Sequence, residues 1–131
     1  MGVIRHEALP LKERRKGHRV RNVVSPETGA TGLTLTVSEL DQGAAVPPHT
    51  HRIEEALVVQ EGVGVFRLGD EEVTVGADAT VLVPAEVAHG FRNDAAGVLR
   101  VLGVFPVVEP LTAKWTTYLE GTPPPGFMTE G

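Results

Sequence analysis

Gly43-Ala44-Ala45-Val46-Pro47-Pro48-His49-Thr50-His51-Arg52-Ile53-Glu54-Glu55-Ala56-Leu57-Val58-Val59-Gln60-Glu61-Gly62 carries two histidines two residues apart and a glutamate four residues later. In a β-strand, residues two apart point to one face. His49 and His51 then present two imidazoles side by side, and Glu55 brings a carboxylate to them after a short step. A third histidine, His89, lies in a second strand-like segment and closes the set from across a sheet. Three of the five histidines in the chain belong to this constellation. Two or three imidazoles with one carboxylate make a site for a divalent transition metal.

Outward from this stretch, the pattern is β. Val20, Val23 and Val24 make a short strand ended by the turn Ser25-Pro26-Glu27-Thr28-Gly29, and Gly32 to Val37 alternates apolar and polar residues. Prolines 47 and 48 suit an edge or the start of a strand rather than its centre. Ala56 to Val59 is a continuous apolar strand. Val63 to Leu68, Val73 to Val75, Thr80 to Val83 and His89 to Arg92 follow at short turn spacings, and Val98 to Val108 is the longest apolar run. Short strands at such intervals predict a sandwich or barrel. Residues 1–18 read as a polar N-terminal arm, 19–109 as the barrel and 110–131 as a C-terminal extension. Trp115, Tyr118 and Leu119 have helical spacing and predict a short helix, followed by an extended tail over 123–126.

The second half of the constellation sharpens the reading. The quoted stretch fills every fixed position of Gly, five residues, His, one, His, three, Glu, six, Gly, and so resembles the first motif of the cupin family. Pro84, His89 and Asn93 match the second motif with correct spacing, while Asp78 and Glu86 stand where that motif has glycines. Those departures bear on turn geometry, with Gly76 a candidate to serve the first turn. The resemblance spans residues 35–106. It implies an all-β, double-stranded β-helix (jelly-roll) barrel with His49, His51, Glu55 and His89 as ligands of manganese, iron, nickel, zinc or copper. It further implies a metal-dependent protein acting on a small oxygen-bearing molecule, of oxygenase type, with isomerase or decarboxylase activity close behind. A non-catalytic binding or sensing module is the alternative. Many small relatives of this kind look like dimers, which implies a homodimer.

Other residues carry weaker signals. Phe91 shares parity with His89 and faces the same interior, as a pocket wall or as plain core, and Leu57 is a further wall candidate. Arg67 and Arg100 are candidate pocket residues that meet an anionic substrate, although strand alternation favours their projecting to water. Glu54 alternates away from Glu55 and is expected at the surface. His6 and His18 read as ordinary surface or core histidines.

Composition sets the bounds. At 131 residues the chain is one domain's length. It has no cysteine, which excludes disulfides, thiolate ligands and a cysteine nucleophile. There is no long apolar run, so a soluble cytoplasmic protein is expected, without membrane contact. Net charge is −5. Residues 1–22 nevertheless hold seven Lys/Arg against two Glu. That cluster lacks interleaved aromatics and adjoins an acidic body, so ion pairing is expected there and nucleic-acid binding is not. No phosphate-cradling glycine loop is present.

Overall fold

The computed structural model describes residues 2–121, 123, 124 and 127. Among these residues eleven strands form two antiparallel sheets: β1 (Lys12–Arg15), β2 (His18–Val24), β3 (Thr34–Leu40), β4 (Ala45–His51), β5 (Glu55–Glu61), β6 (Val63–Leu68), β7 (Glu71–Gly76), β8 (Thr80–Val83), β9 (His89–Arg92), β10 (Leu99–Phe105) and β11 (Thr116–Tyr118). One sheet runs β1-β2-β3-β10-β5-β8 and the other β11-β4-β9-β6-β7. This is the jelly-roll barrel expected from the sequence. Helix is confined, among the described residues, to single 3-10 turns at His6–Ala8 and Pro26–Thr28, so no helix is long and apolar enough to cross a membrane.

Side-chain alternation builds the core. In β10 the residues Leu99, Val101 and Phe105 are buried, while Arg100, Leu102 and Val104 between them are only half-buried. Leu40, Leu57, Val59, Phe66, Val81, Val83 and Phe91 complete the packing between the sheets. Phe66 and Phe91 are cross-strand partners whose rings stack with centroids 5.0 Å apart.

Two segments differ from the sequence reading. The supposed N-terminal arm contributes β1, which pairs with β2 through a turn at Gly17 (φ 74°) and extends the six-stranded sheet. Two charges of the basic cluster are paired in β2: Arg19 meets both carboxylate oxygens of Asp41 at 2.9 Å, and Arg21 donates to the Leu9 carbonyl. The expected helix near Trp115 is instead the short strand β11 beside β4. Two threonines and a tyrosine favour extended backbone, and the edge of β4 offers them hydrogen bonds that an isolated single turn of helix lacks. Pro125 and Gly126 of the expected tail lie outside the described residues.

The glycine departures have a local consequence. Asp78 and Glu86 both adopt left-handed backbone, with φ of 68° and 69°. The turns therefore keep the conformation that glycine favours, and non-glycine residues occupy it. Gly76 does not take over the turn; it ends β7 with φ outside that region.

Candidate metal centre

The site begins with an irregularity in β4. Val46 pairs with Phe91 and His49 with His89, so three steps on β4 face two on β9. Pro47 and Pro48 occupy this bulge, where a missing N–H disrupts no regular ladder. They are therefore tolerated inside a strand paired on both sides. The bulge frees the Pro47 carbonyl to accept the His49 Nδ1–H at 2.8 Å. It also brings β4 unusually close to β9. A Cβ on Gly90 would lie 2.6 Å from the Val46 carbonyl oxygen and 3.1 Å from the Pro47 carbonyl carbon.

The other histidines are held the same way. His89 donates Nδ1–H to the Val87 carbonyl at 2.9 Å. The Thr116 hydroxyl donates to the Pro110 carbonyl at 2.6 Å, so it accepts the His51 Nδ1–H at 2.7 Å. Each Nδ1 proton is thus committed, so each imidazole, when neutral, presents the lone pair of Nε2 to the site. Such partners are what orient metal-binding imidazoles.

His49, His51, Glu55 and His89 offer donor atoms that all lie within 4.8 Å of one another. None of the four is more than 5% exposed. An ion bound at about 2.1 Å by each donor sets opposite donors about 4.2 Å apart, so only small side-chain adjustments are required. The donors fit a cation on two further counts. His51 Nε2 is buried without a hydrogen-bond partner, at 3.5 Å from Glu55 Oε1. His89 Nε2 sits 2.8 Å from the same oxygen, and with its proton committed to Val87 its lone pair faces an anion unless a positive charge intervenes. Burial, aided by the neighbouring His89 and His51, pushes His49 down to about 3, which keeps it neutral and able to ligate. Burial raises the Glu55 carboxyl, but in the metal-free chain hydrogen bonds and positive charge at His51 and His89 outweigh it and hold the group at about 2, ionised.

A cavity of about 50 Å³ opens beside these donors. Leu57 and Phe91 line it, with Val46, Val101 and Phe105 adding apolar wall. Glu54 is exposed, as expected.

Of the two readings of Arg67 and Arg100, the pocket reading is the one the structure does not support. Arg100 lies opposite Glu39 on one neighbouring strand and Glu61 on the other, and it pairs with both, at 3.0 and 2.6 Å, on the outer face. Arg67 donates to the Gly69 carbonyl and lies 3.7 Å from Glu120. Neither lines the cavity beside the histidines; strand parity turns both outward, where carboxylates hold them.

The cavity also gathers residues that the sequence did not single out. Arg14, Arg15 and His18 reach it from β1 and β2, and Tyr118 from β11, opposite His49. Tyr118 packs its ring 5.3 Å from that of His49 and carries the Arg15 guanidinium at 5.3 Å from its own centroid. No spacing rule could have found them, because they lie about thirty or more residues from the ligand stretch and meet it only through sheet order.

Residues 36–105 match the cupin domain family, which is more than half of the chain. The chain is a cupin. This cupin resembles the polyketide cyclase RemF from Streptomyces resistomycificus, at 23% identity and a TM-score of 0.78, over 93% of this chain and 87% of that one. KdgF from Halomonas sp. is similar at 16% identity and a TM-score of 0.73, over 83% of this chain and 96% of that one. Oxalate decarboxylase from Bacillus subtilis, described with Mn(II) centres, matches at 16% identity and a TM-score of 0.74, over 88% of this chain and 31% of that one. At these identities the likeness establishes the shared fold of the cupin barrel. No functionally curated protein matches the sequence.

Proposed function

We propose that this cupin binds one divalent transition metal through His49, His51, Glu55 and His89, and acts there on a small oxygen-bearing molecule. The observation that carries this reading is the set of three committed Nδ1 protons, which turn the Nε2 atoms of all three rings toward one buried carboxylate. Three imidazoles and a carboxylate suit manganese, iron, nickel, zinc or copper, and the Mn(II) centres described for one neighbour agree with that range. When bound with open coordination positions, the ion supplies Lewis acidity and a place for a substrate oxygen or dioxygen. The chain supplies the rest. Pro47, Val87 and Thr116 orient the imidazoles, and Leu57, Phe91, Val101 and Phe105 keep water from the site.

An oxygenase-type reaction is the leading version, since an apolar, water-poor wall beside the donors suits it. Isomerisation or decarboxylation uses the same centre. The small cavity volume favours the alternative of a binding or sensing module, with substrate turnover separating the two. We also propose a homodimer, supported by the exposed Leu119 and the half-exposed Trp115 near β11.

Elemental analysis of the purified protein tests the metal reading. About one ion per chain is expected, with affinity reduced at least about tenfold in His51→Ala. Unchanged metal uptake after replacement of all three histidines would overturn it. Oxygen consumption by the metal-loaded protein, with small hydroxy acids, diketones and enol-type compounds offered in turn, tests the oxygenase version.

A further inference from the structure

Arg14 and His18 stand outside the proposed ligand group, yet both line its cavity. They belong to the six-stranded sheet, whereas the three proposed histidine ligands come from the five-stranded sheet that faces it. His18 is 2% exposed, and its Nε2 lies 3.0 Å from the Ser38 hydroxyl oxygen. Its Nδ1 is buried and has no hydrogen-bond partner. Arg14 is half-buried, and its guanidinium makes no hydrogen bond or ion pair with any described residue.

Two unsatisfied groups on one cavity wall are costly. A half-buried guanidinium without a counter-charge is mildly unfavourable, and a fully buried imidazole nitrogen without a partner is more so. The nearby groups do not relieve them. Tyr118 is a weak partner, Arg15 adds a second positive charge, and Arg19 is committed to Asp41. Burial and these same arginines hold His18 neutral, down to about 3. When Ser38 donates its hydroxyl proton to Nε2, the neutral ring carries its own proton on Nδ1 and is a donor awaiting an acceptor. An acceptor that satisfies both an arginine fork and an N–H is a carboxylate, with its two oxygens in one plane.

We propose that Arg14 and His18 form a receptor for the carboxylate of a small anionic ligand, whose other oxygen-bearing end lies toward His49, His51, Glu55 and His89. The far end of this arrangement rests on the metal reading above; the receptor itself does not. Position narrows the ligand further. Arg14, Thr36 and Leu111 also line a neighbouring cavity of about 230 Å³. That outer cavity contains Glu27 and Glu109, which repel an anion, whereas the inner carboxylate, Glu55, is grouped with three imidazoles, so the ligand carboxylate is favoured on the inner side of Arg14. The inner cavity, at about 50 Å³, limits the ligand to a few heavy atoms.

Calorimetry on the full chain, metal-loaded and metal-free, tests the proposal with glycolate, glyoxylate and malonate, each beside its neutral amide. At least one acid is expected to bind, and its amide at least about tenfold more weakly. Arg14→Gln should weaken the acid by a similar factor, weaken the amide less and leave metal content unchanged, while Arg14→Lys restores part of the loss. His18→Asn, which keeps an N–H near the Nδ1 position, should retain acid binding that His18→Leu loses. Acid binding unaffected by Arg14→Gln overturns the receptor, as does the absence of binding by every acid at millimolar concentration. Acid binding to a chain that takes up no metal, still sensitive to Arg14→Gln, keeps the receptor and removes the metal reading.

Discussion

The Thr116 hydroxyl bridges the His51 Nδ1–H and the Pro110 carbonyl, with contacts of 2.7 and 2.6 Å. Cross-strand register makes this possible, because Thr116 on β11 lies opposite His51 on β4. A residue sixty-five positions away thereby fixes which nitrogen of His51 faces the carboxylate. Thr116→Val should leave both partners unsatisfied, at a cost of about 1–3 kcal/mol. Metal affinity should fall about 10–100-fold. Thr116→Ser should stay near the parent protein. Chelator competition and urea unfolding on the three proteins measure both effects.

Glu55→Gln removes a buried charge and keeps the shape of the side chain. The three imidazoles lose their anionic partner, so metal affinity should fall while the fold persists. Competitive metal titration, with circular dichroism as the control on folding, gives the comparison. Equal affinity in the two proteins would show that Glu55 is not a ligand.

Acid should destabilise the metal-free protein early. His18 and His49 are both held down to about 3 in the folded chain, against an ordinary value of 6.5. Unfolding lets each take up a proton, so their contribution is fully present above about pH 6.5 and is lost progressively toward pH 3. Between those limits each adds at most about 1 kcal/mol per pH unit to the slope. Urea midpoints at pH 7.5, 6 and 5 should fall in that order. Flat midpoints would mean that the two rings are not held neutral by the fold.

Glu86 is exposed and left-handed, with φ of 69°. Glu86→Gly should relieve the clash between Cβ and carbonyl that this conformation imposes, offset in part by the entropy of glycine in the unfolded chain. A net gain of about 0.5–1 kcal/mol is expected, seen as a rise of a few degrees in Tm. Asp78→Gly should gain less, because aspartate tolerates this region better than glutamate.

Gly90→Ala should act in the opposite sense. The new Cβ meets backbone of Val46 and Pro47 that has little freedom to retreat. Separation of β4 from β9 would part His49 from His89. A loss of at least about 2 kcal/mol, with weakened metal uptake, is expected from thermal unfolding and titration.

The four proposed ligands and the β-barrel were readable in the linear chain because each depends on local spacing. Parity puts His49 and His51 on one face, alternation marks the strands, and short turn intervals mark the barrel. The family resemblance named the same four residues, and the structure gathers them. Strand parity likewise anticipated that Arg67 and Arg100 would turn outward, but their partners Glu120, Glu39 and Glu61 depend on sheet pairing. What spacing does not encode is which distant strands become neighbours. Strand β1 looked like an arm and β11 like a helix, because each is too short to show its period and takes its form from an adjacent strand. Arg14, His18, Thr116 and Tyr118 came to the site by that route. Their roles follow from long-range strand order, where hydrogen bonds to the neighbouring edge and burial of the shared interior outweigh local preference.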